Sequence, residues 1–206
     1  QAFIKTGIGA EKKSRVISEK EKKITAYHEA GHAILFHLLP EMGPVHTISI
    51  IPTGMGAAGY TMPLPEQDEM FNSKKKMLEN IVVDLGGRVA EELIFHDITT
   101  GASQDIKQAT QMARAMVTQY GMSEKVGMIQ YGGDEDEVFI GRDFGHTKNY
   151  ADQTAALIDS EVKRIIDESY RKAKEILSQN EEVLHKCAAL LIEKEKIGRE
   201  EFEALF

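Results

Sequence analysis

Two histidines and a glutamate fall within the five residues His28-Glu29-Ala30-Gly31-His32. On an α-helix, positions i and i+4 share a face with side-chain roots about 5 to 6 Å apart, so both imidazoles can reach one zinc ion at about 2.0 to 2.1 Å. Glu29, one residue after the first histidine, falls on the flank of such a site. There its carboxylate can take a proton from a water activated by the metal and later return it to a leaving amine. The pattern H-E-x-x-H thus offers two metal ligands and a general base. The plain alternative is a pair of satisfied core histidines, and the glutamate between them favours the metal.

This chemistry needs a helix, and the flanking residues supply one. Ser18 and Glu21 form an S-x-x-E capping box, and Ile24, Tyr27, Gly31, Ile34, Leu35 and Leu38 make an apolar stripe of helical period that Pro40 ends. His28 and His32 lie in or beside that stripe, so they face the interior, where unpartnered imidazoles are costly.

A catalytic zinc site takes three protein ligands and leaves a position for water. The single Cys187 excludes a thiolate site and an intramolecular disulfide framework, so a carboxylate must complete the set. Glu91 and Glu92 sit near the end of a second helix that also carries Asp84. Asp105 lies in the first turn of a third helix. Each has a plain reading: a solvated face for the glutamates, and a carboxylate favoured by the helix dipole for Asp105. Spacing leaves Asp105 and the Glu91/Glu92 pair equally eligible. The other histidines (His37, His46, His96, His146 and His185) read as surface or core residues.

The elements around these residues form a mainly α fold with a small β-sheet or hairpin. Residues 1–17 read as a connector and 18–206 as the folded domain. Val45 opens an alternating, β-branched stretch, glycines at 54, 56 and 59 make a turn, and a return strand ends at Leu64, giving a hairpin over 45–64. Ser73 caps a helix running to about Phe95, interrupted by Gly86-Gly87. Either a close backbone approach or a kink would account for those glycines. A loop at 96–102 precedes a helix over about 103–120, and a short strand is expected at 138–140 inside an acidic loop. A long amphipathic helix over about 150–178 follows, then a helix capped by Asn180 and a last one near 200–206.

With 206 residues, of which 42% are hydrophobic, the chain can bury a core, and its net charge of -8 argues against nucleic acid as a partner despite the basic run over 11–23. No apolar run approaches the eighteen or so residues of a membrane span, so the piece reads as soluble. No phosphate-binding G-x-x-x-x-G-K-[ST] loop occurs.

Four segments in order, TAYHEAGHAI at 25–34, GGRVAEELIF at 86–95, TTGASQDIKQAT at 99–110 and EVFIGR at 137–142, resemble the peptidase domain of the FtsH family. The resemblance covers about residues 7–206. It implies a zinc endopeptidase whose third ligand is Asp105, with Glu91 as a structural or supporting residue. It also implies a sheet edge, suited to the hairpin from Val45 to Leu64, that receives extended, unfolded polypeptide by strand addition. Family members are membrane-anchored homo-hexamers whose AAA+ module uses ATP to thread substrates. They sit on the cytoplasmic face of the bacterial inner membrane or its organelle equivalent. The chain is then expected to be a fragment beginning at the linker after a missing ATPase module, with membrane contact only through missing segments. A non-catalytic ring scaffold and a peptide-binding chaperone domain are the rivals from other classes.

Overall fold

The computed structural model describes residues 16–64, 69–132 and 151–206. Its first helix, α1 (Glu19–Leu38), starts where the capping signal places it, with the Ser18 hydroxyl accepting from the Glu21 amide at 3.2 Å. The ten consecutive residues from Ala26 to Leu35 are buried. The middle of α1 is therefore covered on every side, which is more than the one-sided stripe in its sequence suggests.

One cover is a sheet. Strands β1 (Val45–Ser49) and β2 (Tyr60–Pro63) pair antiparallel with a register irregularity between Val45 and Thr47. A third strand, β3 (Lys196–Gly198), pairs antiparallel with the other side of β1, giving the order β2-β1-β3. The sequence pattern offers no strand at these residues. A strand of three residues is too short to show a period of two. Because β1 is the middle strand, β2 is the open edge of the 45–64 stretch.

The second cover is α2 (Lys74–Phe95), capped by Ser73 and unbroken through Gly86-Gly87. These glycines mark a close approach, not a kink. A Cβ on Gly31 would lie 2.5 Å from the Gly86 carbonyl oxygen, one on Gly86 would lie 2.7 Å from Leu35 Cδ1, and one on Gly87 would lie 2.3 Å from His28 Nε2. Those distances are inside any real carbon contact, so the two helices meet backbone to backbone. Helix α2 closes on His96 in the left-handed region (φ 53°), whose amide donates to the Glu92 carbonyl.

A 3-10 turn (Thr100–Ala102) leads into α3 (Ser103–Thr118). Helix α4 (Asp152–Gln179) is followed by α5 (Glu181–Lys194) and the short α6 (Arg199–Glu203). Asn180 does not cap α5 with its side chain, as its type suggested. The side-chain amide nitrogen instead donates back to the Ile176 carbonyl of α4 at 2.8 Å, which ties Asn180 to the end of the preceding helix. The helix expected near 200–206 ends at Glu203. Residues 1–15 of the connector expected over 1–17, the strand at 138–140, the segment 137–142 and His146 lie outside the described residues.

Two apolar clusters result. One packs α1 and β1 against α5 and α6 through Ile34, Leu35, Ile48, Leu184, Leu191 and Phe202. The other joins α2, α3 and α4 through Ile81, Leu85, Met116 and Ile158. Helix α2 contributes to both, so it links the sheet side to the α3 side. No helix among the described residues is long and apolar enough to cross a membrane.

If the α1–α2 crossing is as tight as these distances require, Gly31→Ala must force the helices apart. The expected cost is about 2 to 3 kcal/mol, a drop in thermal midpoint of roughly 5 to 10 °C. Calorimetry reads it directly, and an unshifted midpoint would refute the close approach.

Candidate metal centre

The helix crossing turns His28 and His32 toward one point. His32 Nε2 lies 3.1 Å from His28 Nε2. The Asp105 carboxylate oxygen Oδ2, carried in by the first turn of α3, lies 3.0 Å from His28 Nε2 and 3.4 Å from His32 Nε2. Tetrahedral ligands on zinc, at about 2.0 to 2.1 Å from the ion, stand about 3.3 Å from one another. The three donor atoms already have that spacing. They form a group of His, Cys, Asp or Glu side chains able to hold an ion.

The outer nitrogens decide what the inner ones can do. His28 Nδ1 meets Glu91 Oε1 at 3.0 Å, and His32 Nδ1 meets the Val83 carbonyl at 2.7 Å. Carboxylates and carbonyls only accept, so both Nδ1 atoms carry the hydrogen. In the neutral rings, both Nε2 lone pairs then point into the same space as an Asp105 oxygen. Three electron-rich atoms at this spacing repel one another unless a cation or protons lie among them. The donor set fits a divalent metal, and carboxylate or carbonyl support behind ligating imidazoles is the usual arrangement.

Without a metal, protons serve instead. Burial pulls the His28 pKa down, but the carboxylates of Asp105 and Glu91 outweigh it and raise the value to about 10. His32 is raised too, against its burial, chiefly by its bond to Asp105. Burial pushes Asp105 up, yet the two imidazoles hold it well below the usual carboxylate range. Glu91 is likewise lowered against its burial, by His28 and by Thr99. Asp84 moves the other way: burial lifts it to about 7, opposed by His32 and reinforced by Asp105.

Glu91 also fixes the route by which Asp105 arrives. It is buried, and it accepts from the Thr99 amide at 2.9 Å and from the Thr99 hydroxyl. Arg88 Nη2, one turn earlier on α2, donates to the Thr99 carbonyl at 3.0 Å. Thr99 in turn caps the 3-10 turn by accepting from the Gly101 amide. Helix α2 thus pins the loop that leads to α3. Glu92 takes no part and reaches toward Lys174, 3.6 Å away.

Glu29 is 7% exposed, and its Oε2 accepts from the Thr61 hydroxyl of β2 at 2.8 Å. It lines, with His28 and Asp105, a cleft of about 840 Å³ whose other walls include Ile24, Met55 and Gln104. His37 packs against Phe202 and Phe206, and His185 against Tyr27, both away from the cleft. Thr61, Thr99 and the Val83 carbonyl went unnoticed in the sequence. Threonines carry no spacing signal, and a backbone acceptor carries no residue signal at all.

Two imidazoles and a carboxylate gather around one point, with a second carboxylate on the cleft wall, a group that could hold a metal ion. A family model for peptidase family M41 matches residues 15–205, and the chain belongs to that family. It is 53% identical over 206 residues to ATP-dependent zinc metalloprotease FtsH 1 of Thermoanaerobacter sp. (strain X514), covering all of this chain and 34% of that protein. It is 55% identical over 205 residues to ATP-dependent zinc metalloprotease FtsH of Caldicellulosiruptor bescii, covering all of this chain and 33% of that protein. To the FtsH of Ruminiclostridium cellulolyticum it is 50% identical over 206 residues, again with 33% of the relative covered. The chain spans about a third of the length of these curated relatives.

The ion pairs of the metal-free site have a pH signature. A histidine whose folded pKa exceeds its unfolded value of about 6.5 stabilises the fold fully below that value and loses the contribution as pH rises through the folded pKa. For His28 the loss runs from about 6.5 to about 10. Chelator-treated protein should therefore lose stability over that interval in urea titrations, and Asp105→Asn should lose less over the same interval. Equal slopes would show that the His28–Asp105 pair does not form. Asp105, with its folded pKa depressed, works in reverse: its contribution is present above about 3.9 and is lost as the solution is made more acid.

Proposed function

We propose that the chain is a zinc-dependent endopeptidase domain in which His28, His32 and Asp105 hold the metal and Glu29 is the general base. One observation carries this reading: the inner nitrogens of two imidazoles, each with its outer nitrogen tied to an acceptor, and an aspartate oxygen lie 3.0 to 3.4 Å apart. Membership of a peptidase family supports it, as do relatives named zinc metalloproteases.

When bound, zinc supplies Lewis-acid polarisation of the scissile carbonyl and lowers the pKa of a water to about 7. The chain's own residues do the rest. Glu91 and the Val83 carbonyl hold the two rings in the tautomer that leaves Nε2 free for the metal. Glu29 takes the proton of the attacking water at Oε1, its Oε2 being engaged by Thr61, and passes that proton to the amide nitrogen as the peptide bond breaks. Proton count is conserved, and the carboxylate is regenerated. The open edge of β2, beside Glu29, suits an extended peptide that pairs by main-chain hydrogen bonds, so side-chain identity matters little. Unfolded polypeptides fit that requirement and folded domains do not.

The same reading extends to a parent protein. There the domain is the proteolytic part of a membrane-anchored homo-hexamer on the cytoplasmic face of the bacterial inner membrane. Its ATPase module uses ATP to deliver threaded chains to the cleft. The resemblance of the motifs and the names of the relatives support this larger setting.

Glu29→Gln should retain zinc and thermal stability while casein and peptide hydrolysis fall by roughly 10² to 10⁴-fold. Asp105→Ala should lose stoichiometric zinc in metal analysis. Parent activity should vanish with a chelator and return with zinc. A Glu29→Gln protein as active as the parent, or undiminished zinc in Asp105→Ala, would overturn the assignment. Glu91→Gln leaves the three ligands in place but weakens the acceptor behind His28, so zinc affinity should fall roughly 10 to 100-fold in competition titrations. Unchanged affinity would return Glu91 to a purely structural part.

A further inference from the structure

We propose that Thr61 is a positioning residue that holds Glu29 back from the metal and ties the general base to the edge strand β2. The proposal rests on the endopeptidase reading above. Its ground is the short bond from the Thr61 hydroxyl to Glu29 Oε2, 2.8 Å, with the Glu29 main-chain carbonyl also in reach of that hydroxyl at 3.1 Å. The hydroxyl has one hydrogen, and the ionised carboxylate is the stronger acceptor.

The need for such a tether follows from where Glu29 sits. It is a flexible side chain one residue from a ligand, and it lines the same cleft as His28 and Asp105. A carboxylate free to swing toward a divalent cation gains by ligating it. It would then fill the position that water needs and could no longer act as a base. Anchoring Oε2 on a separate element opposes that swing and restricts the rotamers Glu29 can sample. The anchor is itself held firmly: Thr61 lies opposite Ile48 in the β1–β2 register, and Ile48 is fully buried in the core.

The neighbouring glycine fits the same purpose. A Cβ on Gly59, the residue before β2, would lie 2.6 Å from the Ser49 carbonyl oxygen of β1, 2.9 Å from Thr25 Cγ2 and 3.1 Å from Glu29 Cγ, so the glycine lets the chain enter β2 close to both β1 and α1. The strand that supplies the hydroxyl is also an edge strand of the sheet. Peptide bound along β2 is therefore registered against the same element that fixes the base, and the scissile bond and Glu29 share one frame.

The test is a series on the intact chain: parent, Thr61→Val, Thr61→Ser, Thr61→Ala and Glu29→Gln, each assayed for zinc content, thermal midpoint, kcat and KM on one unstructured peptide. Valine keeps the shape of threonine without the hydroxyl. With zinc content retained, Thr61→Val should lower kcat roughly ten- to thirtyfold and leave KM within about twofold, because a base displaced by a fraction of an ångström slows proton transfer without weakening substrate pairing. Thr61→Ser should recover kcat to within about threefold of the parent. A parent-like kcat in Thr61→Val, a loss confined to KM, or a serine variant as slow as valine would overturn the proposal. Should the valine variant not fold, the serine–alanine comparison decides by the same criteria. A fully active Glu29→Gln would instead overturn the endopeptidase reading itself, whereas an inactive Glu29→Gln beside a parent-like Thr61→Val would overturn only the role of Thr61.

Discussion

The contact of α1 with α2 at Gly31 and Gly86 is the constraint on which the centre depends. With side chains at the crossing, the helix axes would stand farther apart, and the Val83 carbonyl and Glu91 on α2 could not reach the outer nitrogens of His32 and His28. The rings would then be free to flip, and their inner nitrogens would no longer be committed to a common point. Gly87 completes the requirement, since a side chain there would occupy the space of the His28 ring. Small residues in the middle of two helices cost about 1 kcal/mol each in propensity. Here they permit a spacing that no larger residue could match.

Around this crossing the molecule gathers charge in a pattern that suits a cation. Asp105 is depressed, His28 and His32 are raised, and all three are at least partly buried. A core that wanted only to be stable would place apolar side chains here, because buried ion pairs seldom repay their desolvation. Protons and a divalent metal compete for the same inner nitrogens, so the bonds among His28, His32 and Asp105 are those a metal would replace. The supporting bonds at Glu91, Thr99 and Val83 lie behind the ligands and need not change.

What could be read from sequence divides along sequence distance. The pairing of His28 with His32 needs only the helical period, and the caps at Ser18 and Ser73 need only their neighbours, so these elements were legible. Asp105 is joined to the histidines by a loop whose path depends on Arg88, Glu91 and Thr99, and no spacing rule predicts that path. Family resemblance named it where local physics left it level with Glu91 and Glu92. The structure gives the two glutamates different surroundings: one faces the back of His28 and the other a surface lysine. The double glycine was visible but ambiguous, since a kink and a close approach share one signature. Strand β3 was illegible because its pairing depends on β1, distant in the chain.

That third strand has a consequence for the order in which the protein is made. Ile48 pairs with Ile197, and α1 packs through Ile34 and Leu35 in the same cluster as Leu184, Leu191 and Phe202. Helix α1 and strand β2 are synthesised early, yet the sheet's central strand lacks its second neighbour until residues 196–198 emerge. Contacts of such long range form late and slowly. A nascent chain therefore carries both histidines and Glu29 well before it holds the frame that aligns them, and that frame closes only once β3 has been made.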